Sequence, residues 1–383
     1  MTVTKKRIIF TAVLALFAVY LPAGSAEAVG SAPGVSAKAA VLLEPVTGKV
    51  LFEKNAYERR SMASTTKIMT ALIACEAGNL DRDIITTPEM VNVEGTSMGL
   101  QAGYSVSLET LIFGMMITSG NDAANTIATV LGGTPDGFTK LMNERAAKIG
   151  MTQSHFITAS GLDDDEHYST AYDMALLARE AMKNPLLRKA ASAKSVTLKY
   201  GNPPVPRTLY THNRMLKEYG GAIGIKTGFT KKSGRCLVSA AQREGVELIA
   251  VTLSAPDDWN DHTAMLDYGF AKVKFQTFTT DLSSTTLPVA GGQKATLTLT
   301  TESAGAPVID VSNAKVTKTV TLPRFVYAPV EKGQPLGKIT YKIENVTVAE
   351  SLITAAETVD IKPNENRNTD DVLNWLNILI GVK

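Results

Sequence analysis

Apolar and polar positions alternate along this chain on several different scales, beginning with an abrupt contrast at the start. Lys5, Lys6 and Arg7 precede an apolar run from Ile8 to Leu21, which closes on Ala26-Glu27-Ala28. A basic cluster, a short apolar run and a small–x–small site form the order of a secretory signal peptide, and the run is too short for a comfortable membrane span. Residues 1–28 are therefore expected to be removed on export. Ala39–Leu43 and Lys49–Phe52 then read as short strands around Pro45-Val46-Thr47-Gly48, a hairpin. A helix is expected over Ser64–Ala77, with Ile68, Met69, Leu72 and Ile73 on one face and Gly78-Asn79 as its stop. Helical spacing recurs over Leu108–Met116, Asp122–Leu131, Phe138–Ile149 and Thr170–Lys183. Strand patterns return at Ala222–Lys226, Cys236–Gln242 and Glu247–Leu253, and a helix over Asp257–Phe270 follows. Strands at both ends with helices between predict one α+β domain whose sheet draws on both ends of the segment.

The pattern changes near Lys274. Residues 275–361 are rich in Thr and Val, with short alternating runs such as Lys294–Thr300 and Lys315–Leu322 and turns at Gly291-Gly292 and Glu331-Lys332-Gly333. They predict a separate small all-β domain, a sandwich or barrel. Residues 363–370 read as a polar linker. On a helix, 371–383 gathers Asn374, Asn377 and Gly381 in a narrow sector, with Val372, Leu373, Trp375, Leu376, Ile378, Leu379 and Ile380 around the rest. That amphipathic tail is too short to span a bilayer; it suits a helix lying in the membrane interface or one packed on the β domain.

Composition narrows the functions. Of 383 residues, 44% are hydrophobic and 20% charged, as in ordinary globular proteins. The formal charge of +2 falls to zero once Lys5, Lys6, Arg7 and Glu27 are removed, so nothing in the charge favours nucleic acid. The two cysteines, Cys75 and Cys236, lie in apolar segments and read as buried thiols rather than a disulfide framework.

Three short motifs carry the chemistry: Ser64-Thr65-Thr66-Lys67, Ser119-Gly120-Asn121 and Lys226-Thr227-Gly228. A serine and a lysine three apart at a helix start share a face. The helix N-terminus and a second nearby cation disfavour a protonated Lys67, so its amine can activate the Ser64 hydroxyl. Ser119 and Asn121 fall where one helix ends and another begins, a loop that presents side chains to a cleft. Lys226 and Thr227 can grip a substrate carboxylate, and Gly228 lets backbone approach the ligand. Singly these signals are weak: a Ser-x-x-Lys arises by chance about once or twice in a chain this long. Ser312-Asn313-Ala314-Lys315 is such a copy, and Lys232-Ser233-Gly234 imitates the third motif in a turn.

The flanks are more specific. Ala63-Ser-Thr-Thr-Lys-Ile-Met-Thr-Ala-Leu72 closely resembles the active-site helix of the low-molecular-mass penicillin-binding proteins, the D-alanyl-D-alanine carboxypeptidase family. So do Ser119-Gly-Asn-Asp-Ala-Ala124, Gly161-Leu162 leading to His167-Tyr-Ser-Thr-Ala171, and Gly224-Ile-Lys-Thr-Gly-Phe-Thr230. The resemblance covers about 36–272 and extends to the β domain and amphipathic tail. It implies a serine β-lactamase/DD-peptidase-like catalytic domain followed by a small all-β domain and a C-terminal amphipathic helix. The implied activity is removal of the terminal D-alanine from peptidoglycan stem peptides, with β-lactam antibiotics as covalent inhibitors and no cofactor or metal. Ser64 would be the nucleophile and Lys67 its base, Ser119 a proton relay, and Asn121 the residue that holds the substrate amide. Lys226 and Thr227 would bind the terminal carboxylate. The N–H groups of Ser64 and Phe229 would form an oxyanion hole, worth about 3 kcal/mol per donor in comparable sites. Phe229 departs from members that carry histidine there. The tail would hold the enzyme on the outer face of the cytoplasmic membrane.

Other constellations read as structural. His155, His167, His212 and His262 have no metal-ligand spacing and no fitting triad. Asp163-Asp164-Asp165-Glu166 lacks calcium-loop order and reads as a solvated loop. Glu180-Ala-Met-Lys-Asn184 mimics the Glu-x-x-Leu-Asn loop of class A β-lactamases but has Lys183 in place of leucine and ends a helix.

Overall fold

The computed structural model describes residues 31–310 and 313–363. The expected signal peptide, Ser312, nearly all of the linker and the amphipathic tail lie outside them.

The main sheet has five strands in the spatial order Lys49–Lys54, Ala39–Glu44, Val246–Leu253, Gly234–Arg243 and Ala222–Thr230, every pair antiparallel. It is built from both ends of the domain, as the order of strand and helix patterns implies. Its inner strand Ala39–Glu44 is buried along its whole length. Alternate side chains serve two cores: Ala39, Val41 and Leu43 face the helical layer, while Ala40 and Leu42 join the core under the helix Asp258–Lys272. Double-sided burial explains why this segment reads as a continuous apolar run. Glu44 ends it by accepting hydrogen bonds from the Val46 and Thr47 amides at 2.7 and 2.8 Å, which shapes the hairpin turn.

The helical layer is formed by Lys67–Glu76, Leu108–Thr118, Asn121–Gly132, Pro135–Ile149, Ala171–Ala181 and Pro185–Ser192. Lys67–Glu76 is central; it buries residues on every side, Lys67 and Thr70 included. Two expectations need correction. The segment expected to begin a helix at Ser64 is first a 3-10 turn, Ala63–Thr66, and the α-helix starts at Lys67. A four-stranded antiparallel sheet of Asp83–Ile85, Ser105–Ser107, Ser195–Gly201 and Pro204–Tyr210 has no counterpart in the pattern reading. Two of its strands are three residues long, too short for any period to register, and Pro204–Tyr210 carries its prolines on an edge strand.

The β-rich segment forms a second unit with its own core, which includes Leu297, Val308, Val330, Ile339 and Ile353. A two-stranded sheet, Val273–Phe278 with Ala304–Ile309, packs beside a six-stranded one. The six run Val316–Thr321, Pro335–Ile343, Val346–Ala355, Thr296–Thr301, Thr286–Ala290 and Val326–Tyr327. Both cysteines are free; Cys236 is buried, but Cys75 is only partly so. Burial pushes their thiols up, to about 11 and about 12, so neither is a reactive thiolate near neutral pH.

Candidate active site

The three motifs meet in one cleft of about 620 Å³ between the helical layer and the edge strand Ala222–Thr230. Ser64, Ser119, Asn121, Thr227, Gly228 and Phe229 line it. Lys67 and Lys226 lie beneath, at 0% and 2% exposure, so both amines are shielded from solvent.

Ser64 sits on the 3-10 turn, where residues three apart stack along one edge, and Lys67 Nζ lies 2.8 Å from Ser64 Oγ. Two more oxygens surround the amine: Asn121 Oδ1 at 2.6 Å and the Ser160 carbonyl at 2.7 Å. The other end of the Asn121 amide donates to the Glu94 carbonyl at 2.6 Å, so its orientation is fixed from both sides. Burial first, and Lys226 second, hold the Lys67 amine well below the usual lysine range, against an opposing pull from Asp122.

The approach of Ser160 to Lys67 depends on a glycine. Gly161 has φ of +84°, and a Cβ there would lie 2.0 Å from the Ala63 carbonyl oxygen. No other residue fits between this loop and the turn that carries Ser64. His167 buttresses the same turn: its Nδ1 accepts from the Ile157 amide at 3.0 Å, which leaves Nε2–H to donate to Thr66 Oγ1 at 2.8 Å. Burial lowers its pKa to about 4, so the ring is neutral.

Ser119 caps the helix Leu108–Thr118 in the left-handed region, φ 62° and ψ 29°, a conformation that turns the chain toward the cleft. Asp122, in the first turn of the helix Asn121–Gly132, is fully buried. It accepts from the amides of Met98, Gly99 and Leu100 at 3.0, 3.1 and 2.9 Å, and so ties down the loop beside Thr96.

Lys226-Thr227-Gly228 lies wholly inside the strand Ala222–Thr230, which runs four residues past the Ala222–Lys226 of the strand pattern. Lys226 Nζ donates to the Thr227 carbonyl at 2.9 Å, and burial brings its pKa down to about 7. Gly228 has a different use from the one its motif suggests. A Cβ there would come within 3.1 Å of Ser64 N, Met62 O and Ala63 Cβ, so the glycine lets the strand pass against the backbone of Ser64 itself. Phe229, one residue on, is 66% exposed at the rim.

Several lining residues carry no motif. Ser160, Gly161 and Leu162 form one side. His212, Arg235, Asp258 and Trp259 form another. Arg235 holds Asp258 Oδ1 through Nε and Nη2 at 2.9 and 2.6 Å, and Trp259 lies under the guanidinium groups of both Arg235 and Arg214. His212 thus belongs to the cleft wall and not to the framework. The acidic run is exposed as expected, but it is tied at the rim: Asp163 accepts from Thr230 Oγ1 at 2.9 Å and from Ser61 Oγ at 3.2 Å, and Asp165 pairs with Lys232. Glu180 is taken up by Arg145 and Lys183 and lines no part of the cleft. Among the described residues there is no cluster of side chains that could hold a metal ion.

The family model described as D-alanyl-D-alanine carboxypeptidase matches residues 26–257, and that of the penicillin-binding protein 5 C-terminal domain matches 274–360. The carboxypeptidase DacF of Bacillus subtilis is 33% identical over 84% of this chain and 85% of its own. DacC of Escherichia coli is 34% identical over 88% and 87%. Among solved structures, DacD of Francisella tularensis aligns with a TM-score of 0.62 at 26% identity, over 87% of this chain and 95% of its own. A Streptomyces DD-transpeptidase aligns at 0.60 and 32% identity, over 63% and 100%.

Proposed function

The chain belongs to the D-alanyl-D-alanine carboxypeptidase family, serine hydrolases of peptidoglycan stem peptides that penicillins acylate, and we propose that Ser64 is its nucleophile and Lys67 the base. The single observation that carries the assignment is the set of three oxygens around Lys67 Nζ. A neutral amine has two N–H donors and one lone pair. Asn121 Oδ1 and the Ser160 carbonyl can only accept, so they take the two N–H groups. The lone pair then faces the Ser64 hydroxyl at 2.8 Å and can receive its proton. The lowered pKa of Lys67 favours the neutral form this requires.

In this reading Ser64 Oγ attacks the carbonyl carbon of the penultimate D-alanine while its proton moves to Lys67. The oxyanion is met by the N–H groups of Ser64 and Phe229, a pairing supported by Gly228, next to Phe229, which lets the strand pass against the backbone of Ser64. The C–N bond breaks, and the proton reaches the leaving D-alanine amine through Lys67 and Ser119. Water then resolves the ester on Ser64. The Asn121 oxygen is committed to Lys67, which leaves one N–H of its amide for the substrate. Thr227 meets the terminal carboxylate from the cleft wall, and Lys226, one layer below, supplies positive charge rather than direct contact.

We also assign residues 1–28 to a removed signal peptide, 36–272 to the catalytic domain, 275–361 to the β domain and 363–370 to a linker. The enzyme then works outside the cytoplasmic membrane, with 371–383 as an interfacial helix. No helix among the described residues is long and apolar enough to cross a membrane.

Incubating protein that starts after residue 28 with a muramyl pentapeptide tests the function. The expected product is the tetrapeptide and free D-alanine, with activity absent in Ser64→Ala. An unchanged pentapeptide, or undiminished release by Ser64→Ala, contradicts it.

A further inference from the structure

The strand Val346–Ala355 gives the β domain a direction. Its first end adjoins the catalytic domain: Glu344, in the preceding turn, pairs with Lys49 at 3.6 Å. Nine steps along a strand carry the chain roughly 30 Å to its other end. There Leu299 stands opposite Ala355, so Thr296–Thr301 begins beyond it. Thr286 opposite Thr298 and Pro288 opposite Thr296 then carry the next strand farther out, to Ala290. Tyr327 pairs with Ala290, Ile361 bridges Gly292, and the Lys362 amide donates to the Gly291 carbonyl. One corner, remote from the catalytic domain, therefore gathers Phe325, Tyr327 and Ile361.

All three are exposed, at 46%, 73% and 58%, and the two aromatic rings pack edge to face 5.2 Å apart. Exposed Arg324 and Lys362 flank them. The described chain ends one residue after Lys362, and the linker that follows reaches at most about 29 Å before residue 371. If the tail lies in the interface, this corner is held close to the bilayer. Aromatic rings with basic neighbours are the side chains that settle at headgroup level.

We propose that Phe325, Tyr327 and Ile361 form a second foothold on the lipid surface, so that the β domain stands on the membrane at this corner. This rests on the reading of 371–383 as an interfacial helix. The foothold adds apolar area that the tail alone does not supply and fixes which end of the β domain faces lipid.

Co-sedimentation with phosphatidylcholine vesicles containing a minority of phosphatidylglycerol tests it. Four proteins are compared: the chain from residue 29, the same chain ending at Thr369, and each with Phe325→Ser and Tyr327→Ser. D-alanine release from a soluble peptide and the unfolding temperature check that each variant is folded. The full chain is expected to bind, the double variant roughly tenfold more weakly, and the shortened chain weakly but still more than its own double variant. Equal binding of the full chain and its double variant overturns the foothold and leaves the tail reading standing. No binding by the full chain overturns both, and points to the tail packing on this corner. A dimer that the double substitution dissociates without vesicles also overturns it, in favour of a second copy.

Discussion

Two buried lysines lie under one cleft, and their surroundings differ. Lys67 touches three oxygens from three segments of chain, while Lys226 has one carbonyl, that of its own neighbour. Both amines are held below the ordinary lysine range by burial. The difference lies in what each can exchange. Lys67 is oriented so that its lone pair meets a hydroxyl, the geometry of a base. Among the described residues Lys226 has no such partner, and a bound carboxylate is the group that would restore its charge. In the proposed mechanism one residue type thus supplies proton transfer in one place and a field in the other.

Substitutions sharpen this contrast. Lys67→Ala and Lys67→Arg should both lower acylation by penicillin by several orders of magnitude, because nucleophile and base act as a unit and arginine stays charged. Retention of activity by Lys67→Arg within tenfold of the parent would break the contrast, since a cation would then suffice. The next effect concerns the substrate. Amidating the terminal D-alanine removes a charge-assisted contact of about 1.5–3 kcal/mol, so turnover should fall roughly ten- to hundredfold, and Lys226→Ala should shrink that penalty. Equal loss in parent and variant would show that Lys226 does not sense the carboxylate.

Lys226 also has a signature in stability. Its folded pKa of about 7 is below the unfolded value of 10.5, so burying it costs stability in full below about pH 7, and the cost disappears as pH rises to 10.5. Lys226→Met should therefore raise the unfolding temperature at pH 6 by an amount that shrinks toward pH 10. A gain independent of pH would assign the effect to packing. The smallest effect expected is at His167, neutral in the fold with a pKa of about 4 against 6.5 unfolded. Stability is lost as pH falls from about 6.5 to about 4, by a few kcal/mol at most. His167→Gln should flatten that acid limb in thermal unfolding while leaving the neutral plateau near the parent's; an unchanged limb would place the loss elsewhere.

What the sequence made legible follows from how each contact is made. Ser64, Lys67, Asn121, Thr227 and Gly228 act through side chains, or the lack of one, at fixed spacings, and fixed spacing leaves a motif. The Ser160 carbonyl on Lys67 is a backbone atom that any residue could supply, so only Gly161 hints at it, through a conformation closed to side chains. Arg235 reaches the cleft from the strand paired with the Lys226 strand, and Asp258 and Trp259 from the helix Asp258–Lys272; none of the three carries a signature of its own. The five-stranded sheet was readable because its strands are long and apolar, whereas Asp83–Ile85 and Ser105–Ser107 exist only through their long-range pairing. Gly228 shows the same limit: the strand runs on through it to Thr230, and the partner it approaches closely is the backbone of Ser64, which no local pattern reveals.

The most direct measurement is the site of penicillin attachment. Protein incubated with benzylpenicillin, digested and mapped by mass spectrometry should carry one acyl group on Ser64, lost in Ser64→Ala and strongly slowed in Lys67→Ala. An adduct on Ser119, on Ser312 or on any residue outside the turn Ala63–Thr66 would contradict the assignment of Ser64 and Lys67.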